Sequence, residues 1–178
     1  MQYGNEEVPV SQNWPKHGYT VRDIKTFRGM EGEGFNATLC RDGREIAFVI
    51  DDATGGDVHI QWADARSHGA EEKRLLEFLK TLPKERWEDT EYDVTPDIFL
   101  ATLVDQAQTE KRLRRLFRKE TLFRLKGDRT DDGKWRVLKA PFSPGVKAQL
   151  VKTYGDSLAH VLNEDYPHLK PRSKQQSS

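Results

Sequence analysis

Four short segments within residues 19–62 constrain the fold of this chain more than any other feature of its sequence. They are YTVRDIKTF (19–27), FNATLC (35–40), REIAFVI (44–50) and VHIQW (58–62). In the second segment Phe35, Ala37 and Leu39 alternate with polar residues, which is the period of a half-buried β-strand. Asp42 and Gly43 between the second and third segments form a two-residue hairpin signal, because both tolerate the positive φ of a type I′ turn. The sequence therefore predicts a four-stranded antiparallel meander.

Helical patterns follow the meander. Apolar residues between positions 75 and 82 lie on one face of a predicted helix. Thr95, Pro96 and Asp97 mark the start of a second helix, with a capping hydroxyl, a proline at the first position and an acid in the first turn. This helix is predicted to run to about residue 119, and Gln106 and Glu110 interrupt its apolar stripe.

The C-terminal third predicts a β-hairpin and a helical end. TLFRLKG (121–127) and KWRVLKA (134–140) pair across a polar loop, Ser143-Pro144 opens a helix, and the helix is predicted to resume after Gly155 through DSLAHVLNE (156–164). The predicted class is thus α+β: an N-terminal four-stranded antiparallel meander followed by helices and a C-terminal β-hairpin with a helical end. Residues 1–17 are predicted to form an N-terminal arm, residues 18–168 a single domain, and residues 169–178 a disordered tail. The sequence is compatible with a domain sub-boundary near residues 83–95, and with residues 95–178 either packing on the meander or forming a separate lobe.

Gly29, Gly32 and Gly34 stand between the first two predicted strands. Dinucleotide-binding and Walker loops place their glycines between a strand and a helix, so the sequence excludes both. Protein kinases use a strand–loop–strand order, and residues 32–49 resemble that hairpin superficially. A kinase needs a lysine on the third strand, but IAFVI has none, and no HRD or DFG motif follows. The glycines are predicted to permit a wide turn with positive φ.

Acidic residues accompany these glycines. The first and third connections of a meander lie at the same end of the sheet, so five carboxylates are predicted to share one edge, which we call the acidic rim: Glu31, Glu33, Asp51, Asp52 and Asp57. Such a rim can accept a basic partner, bind a hard cation through oxygen ligands, or only keep the sheet end solvated. The spacing in DDATGGD does not match a calcium loop, and no metal site is assigned.

Charge is distributed unevenly along the chain although the net charge is zero. Residues 1–110 hold 12 Lys and Arg against 22 Asp and Glu, whereas residues 111–139 hold 12 against 4. Helical and strand spacing predict that the second block forms a basic stripe: Lys111, Arg112, Arg114, Arg115, Arg118, Lys119, Arg124 and Lys126. This stripe can contact phosphates with salt-dependent affinity, contact a protein or nucleotide, or remain a solvated face.

Signatures of catalysis and of cofactor binding are absent from the sequence. No GxSxG, HExxH or zinc-deaminase pattern occurs, the five histidines have no telling spacing, and the lone Cys40 is interpreted as a small strand residue. No apolar run is long enough to span a bilayer, and the N-terminus lacks a secretory signal. We therefore expect a non-enzymatic cytoplasmic protein with no catalytic residue and no cofactor.

Residues 30–56, with LFRLKGD (122–128) and KWRVLKAPFSPGVKAQLVKTYGD (134–156), resemble uncharacterised small accessory proteins of bacteriophages and other mobile elements. The resemblance implies an anti-defence role: a protein that binds and inhibits a host or defence protein, here through its charged surfaces. A nucleic-acid-binding or nucleic-acid-mimicking protein is one alternative, and a nucleotide-binding or nucleotide-sequestering protein is another. The sequence fixes neither the partner nor the oligomeric state.

Overall fold

A computed structural model describes residues 3–8 and 15–169 of the chain. The strands are β1 (Tyr3–Glu7), β2 (Tyr19–Arg28), β3 (Glu33–Arg41), β4 (Arg44–Asp51), β5 (His59–Trp62), β6 (Glu85–Trp87), β7 (Thr90–Tyr92), β8 (Thr121–Leu125), β9 (Lys134–Leu138) and β10 (Leu158–Val161). The helices are α1 (His68–Leu79), α2 (Pro96–Leu116), α3 (Pro144–Tyr154) and α4 (Leu162–Asp165). The predicted α+β class is confirmed. Residues 1–2 and 9–14 of the predicted arm and residues 170–178 of the predicted tail lie outside the described residues.

The described residues pack as two compact units. The meander unit falls within Ser11–Ala107, and the hairpin unit falls within Met1–Val10 and Gln108–Ser178. Helix α2 contributes residues to both units: Phe99 and Leu103 belong to the first hydrophobic core, and Leu113 belongs to the second. The gap in the apolar stripe of α2 coincides with this division, since Gln106 and Glu110 lie on either side of it.

The meander predicted from residues 19–62 is confirmed. Strands β2, β3, β4 and β5 pair in chain order and antiparallel, with Val21 opposite Leu39, and Val49 opposite Ile60. At the β3–β4 turn Asp42 has a φ of 52° and Gly43 a φ of 78°, the positive values that the Asp-Gly pair predicted.

One face of the meander sheet packs against helices. Phe35, Ala37 and Leu39 of β3 are all buried in a core that also contains Leu75 of α1 and Leu100 of α2. An aromatic cluster fills the centre of this core, where the rings of Tyr19, Phe78 and Phe99 lie 5.3–5.8 Å apart. Burial of this apolar face is what fixes the register of the strands, because a slip by one residue would turn every core side chain toward solvent.

The hairpin unit is built on a second four-stranded sheet with the order β1-β9-β8-β10. The predicted hairpin is confirmed, as β8 and β9 pair antiparallel with Leu122 opposite Val137. The predicted helix start at Ser143 is confirmed as well, because the Ser143 hydroxyl accepts a hydrogen bond from the backbone N–H of Val146 at 3.2 Å.

Three segments form strands that the sequence did not predict. Residues 158–161 were expected to continue a helix but form β10, which pairs with β8 and buries Val161. Residues 3–7, expected to be part of an arm, form β1 along β9, with Tyr3 opposite Leu138. Between α1 and α2 the strands β6 and β7 pair as a small antiparallel hairpin. In each case backbone hydrogen bonds to a neighbouring strand outweigh local propensity.

No helix in the described part of the chain is both long enough and apolar enough to cross a membrane.

Candidate functional site

The first and third connections of the meander lie side by side, as the acidic-rim hypothesis requires. The backbone N–H of Glu31, between β2 and β3, donates a hydrogen bond of 2.9 Å to the carbonyl oxygen of Ala53, between β4 and β5. The Glu31 carboxylate reaches over Gly55, where an added Cβ would lie 2.2 Å from Oε2. The two connections therefore form one continuous edge of the meander unit.

Glycines make this close approach possible. A Cβ on Gly29 would lie 2.5 Å from the Ala53 Cβ, and a Cβ on Gly34 would lie 2.5 Å from the carbonyl oxygen of Asp51. Neither Gly29 nor Gly34 has the positive φ that the sequence suggested, and of the three only Gly32 does, at 142°. The glycines thus serve mainly to let two backbones meet, rather than to permit an unusual turn.

The five rim carboxylates have different local roles. Glu31 lies in the connection itself, Glu33 is the first residue of β3 and Asp51 the last residue of β4. Asp51 Oδ1 accepts a hydrogen bond from the Ala53 N–H at 2.9 Å. Asp52 Oδ1 accepts from the hydroxyl and the N–H of Thr54, and these bonds hold the pKa of Asp52 below its usual value. Asp51 and Asp52 therefore shape the connection.

Glu31, Glu33 and Asp57 are the exposed carboxylates of the rim that remain available to a partner. None of these three forms a salt bridge within residues 3–8 and 15–169. Burial and then the charge of Glu33 raise the pKa of Asp105 in α2. Asp105 was not among the predicted site residues. The available signal was its position, since Asp105, like Asp97, stands among the apolar residues of α2.

Geometry does not favour a cation at the acidic rim. No group of three or more His, Cys, Asp or Glu side chains among the described residues is arranged to hold a metal ion. Two of the five rim carboxylates already accept hydrogen bonds from their own loop.

Met30 is the apolar residue that sequence analysis overlooked at this rim. Its side chain is 92% exposed at the tip of the β2–β3 connection, directly before Glu31. Phe27, three residues earlier, is 39% exposed, and its ring lies over Gly34. The sequence does contain a signal for this exposed side chain, since an apolar residue stands there in a glycine-rich acidic loop.

The basic stripe is partly assembled by the structure. Arg112, Arg115, Arg118 and Lys119 line a cavity of about 510 Å³ at the end of α2, together with Leu116 and Glu120. We call this the basic concavity. The chain turns there because the N–H groups of Lys119 and Glu120 both donate to the carbonyl oxygen of Leu116 at 2.9 Å. The backbone thus makes a further hydrogen-bonded turn after the last residue of α2, and this turn brings Arg118 and Lys119 close to Arg112 and Arg115.

The other four members of the stripe lie elsewhere. Lys111, Arg114 and Lys126 are exposed but do not line the concavity. Arg124 was expected on the exposed face of β8 but is 8% exposed. Its guanidinium lies 4.0 Å from the ring centroid of Trp135 and donates to the carbonyl oxygens of Lys134 and Thr130. Arg124 is therefore part of the interior of the hairpin unit.

A second concavity, of about 240 Å³, lies at the β8–β9 loop. Two acids and three bases line it, and Asp128 accepts two hydrogen bonds of 2.7 Å from Arg136. These bonds, with one from the Leu125 N–H, lower the pKa of Asp128 to about 2. Asp128 is thus committed to Arg136 and to the backbone of Leu125, and these bonds hold the loop.

Cys40 is poorly suited to act as a nucleophile. Its side chain is buried in β3, and burial raises the pKa of the thiol. A raised pKa leaves less of the reactive thiolate at neutral pH.

The chain matches no family profile, no curated protein and no solved structure.

Proposed function

We propose that this chain is a non-enzymatic binding protein that docks its acidic rim onto a basic surface of a partner protein. The observation that supports this most is Met30, which is 92% exposed beside Glu31 on a connection held by a backbone hydrogen bond to Ala53. Protein interfaces commonly combine an apolar anchor with a polar margin, and Met is enriched in them. The rim offers both features on one edge.

Rigidity adds to the argument. The N–H of Gly29 donates to the carbonyl oxygen of Gly32 at 2.8 Å, and the Glu31 N–H donates to the neighbouring connection. A loop that is already ordered loses less conformational entropy when it binds than a mobile loop does. Met30 and its flanking carboxylates are thereby presented in one arrangement.

Charge defines the partner. Glu31, Glu33 and Asp57 are exposed, and a surface rich in Lys and Arg would complement them. Complementary charge chiefly accelerates association and selects the partner, while the apolar contact slows dissociation. The resemblance to phage and mobile-element accessory proteins favours a host or defence protein as this partner, with inhibition by occupancy as the result.

The experiment is affinity capture from a bacterial lysate at 150 and 500 mM salt, about the physiological level and well above it. Immobilised wild type is compared with the rim variant E31Q/E33Q/D57N and with Met30→Ala. The control variant E72Q/E77Q/E91Q removes three exposed carboxylates elsewhere on the meander unit. We expect a basic protein that wild type and control retain and that both rim variants lose by about tenfold, a change of about 1.4 kcal/mol. Equal retention by all four proteins would contradict the proposal.

A further inference from the structure

The strongest feature outside the acidic rim is the basic concavity of the hairpin unit. It gathers Arg112, Arg115, Arg118 and Lys119 around a cavity of about 510 Å³. Cavities of roughly 300–1,000 Å³ are the usual size for small-molecule sites. The concavity uses residues and a unit different from those of the acidic rim, so its test is independent of the proposed function.

The charge inside the concavity is strongly positive. Glu120 is the one carboxylate among its described lining residues, and Lys139 Nζ binds the Glu120 Oε1. Arg115, Arg118 and Lys119 form no salt bridge with any residue of the described ranges. At least three cations therefore face the cavity without an acidic partner of their own.

Stabilisation of the helix end does not account for this arrangement. Cations near a helix C-terminus interact favourably with the macrodipole, which is equivalent to roughly half a negative charge. Helix α2 ends at Leu116, and Arg114 and Arg115 already lie in its last turn. Arg118 and Lys119, which follow the helix and line the same cavity, exceed what half a charge requires.

We propose that the basic concavity binds a phosphate ester, carried either by a nucleotide or by the backbone of a nucleic acid. Arg guanidinium groups donate two parallel hydrogen bonds to phosphate oxygens, and Lys adds a point charge. Leu116 supplies an apolar wall beside the cations, suited to a sugar or base. Binding requires no chemical step, and the ligand is held rather than converted.

Binding is measured by titrating the full chain with inorganic pyrophosphate, ATP and a fluorescent single-stranded 12-nucleotide DNA, at 20 and 200 mM salt. The test variant R115Q/R118Q removes two cations that line the concavity. The control K111Q/R114Q removes two cations from the same helix that do not line it. Both variants lose the same formal charge and keep residues that favour helix.

We expect R115Q/R118Q to weaken binding more than tenfold and K111Q/R114Q to weaken it less than threefold. Binding of ATP or pyrophosphate as well as DNA identifies a phosphate site that a nucleotide fills. Binding of the DNA alone, with log K falling by about 2 per log unit of salt for three contacted phosphates, identifies the nucleic-acid backbone as the source. The proposal is overturned if no probe binds at 20 mM salt, or if the two variants weaken binding equally.

A second measurement does not depend on the variants being folded. Nuclear magnetic resonance spectra of the ¹⁵N-labelled wild-type chain are recorded while the tightest-binding probe is added. We expect the largest amide shifts within residues 112–120. Shifts confined to other parts of the chain would also overturn the proposal.

Discussion

The backbone N–H of Glu31 donates a hydrogen bond of 2.9 Å to the carbonyl oxygen of Ala53. This bond joins the first connection of the meander to the third, and it places exposed Met30 beside the rim carboxylates. Small residues on both sides of the bond allow the approach. This hydrogen bond therefore fixes the backbone of both connections and, with it, the surface that we propose to bind a partner.

Gly34→Ala tests the close packing under this rim. A Cβ at residue 34 would lie 2.5 Å from the carbonyl oxygen of Asp51 and 2.6 Å from the Phe27 ring. We expect the free energy of unfolding, measured by urea denaturation, to fall by about 1–3 kcal/mol. Gly56→Ala is the control, since its Cβ would meet nothing within 4 Å, and we expect a change within about 0.5 kcal/mol. Equal effects at the two positions would show that the packing explanation is wrong.

Glu71→Gln tests the ion pair between the meander sheet and α1. Arg41 donates to both carboxylate oxygens of Glu71, at 2.8 and 3.1 Å, and these bonds lower the pKa of Glu71. We expect the free energy of unfolding of the variant to be lower by about 1–3 kcal/mol at pH 7, because hydrogen bonds to charged groups contribute about this much.

The pH dependence of this loss follows from the lowered pKa. The carboxylate contributes fully above the pKa that Glu has in the unfolded chain, and its contribution disappears as the pH falls through the lowered value. The difference between wild type and Glu71→Gln should shrink accordingly in urea titrations on acidification. Glu77→Gln, whose exposed carboxylate lies 3.8 Å from Lys73, should change little. A difference between wild type and Glu71→Gln that does not vary with pH would contradict the assignment.

Asp128→Asn tests the loop of the hairpin unit. The pKa of Asp128 is lowered from 3.8 to about 2, chiefly by the two hydrogen bonds from Arg136. After allowance for solvent screening, we expect the variant to lose about 1 kcal/mol at pH 7. The loss should diminish as pH falls below about 4 and vanish only below pH 2, where the wild-type carboxyl is protonated in both states.

The control for Asp128→Asn is Asp131→Asn, whose carboxylate pairs with Arg129 on the exposed side of the same loop. We expect no measurable shift of its urea midpoint. A larger effect at residue 131 than at residue 128 would mean that the Arg136 pair does not hold the loop.

Asn163→Ala tests the support beneath the basic concavity. The buried Asn163 side chain accepts a hydrogen bond from the Leu122 N–H at 2.8 Å and donates one to the Glu120 carbonyl oxygen at 3.2 Å. We expect a loss of about 1–3 kcal/mol in urea denaturation, because two backbone groups lose their partner. Glu164→Gln is the neighbouring exposed control. A loss below about 0.5 kcal/mol for Asn163→Ala would show that water replaces the amide without cost.

Local signals explain the part of the fold that the sequence predicted. The period of two in β3, the Asp42-Gly43 turn and the Pro96 helix start each act over a few residues, so they can be read without knowledge of the fold. The position of the acidic rim followed from connectivity alone, since alternate connections of a meander share an end. Met30 and Asp105 were not predicted, because exposure and neighbouring charge depend on packing.

The sequence by itself determined the meander, the two long helices, the β8–β9 hairpin and the acidic edge, since periodicity and turn residues specify them locally. Only the tertiary structure decided that residues 3–7 and 158–161 are strands, because each pairs with a strand that is remote in the sequence. The backbone hydrogen bonds of such a pairing leave no signal in the local side chains. Packing likewise buried Arg124 against Trp135 and gathered four of the eight predicted cations around one cavity. Charge can be counted in a sequence, but its solvent exposure and its partners are set by neighbours that only the folded chain brings together.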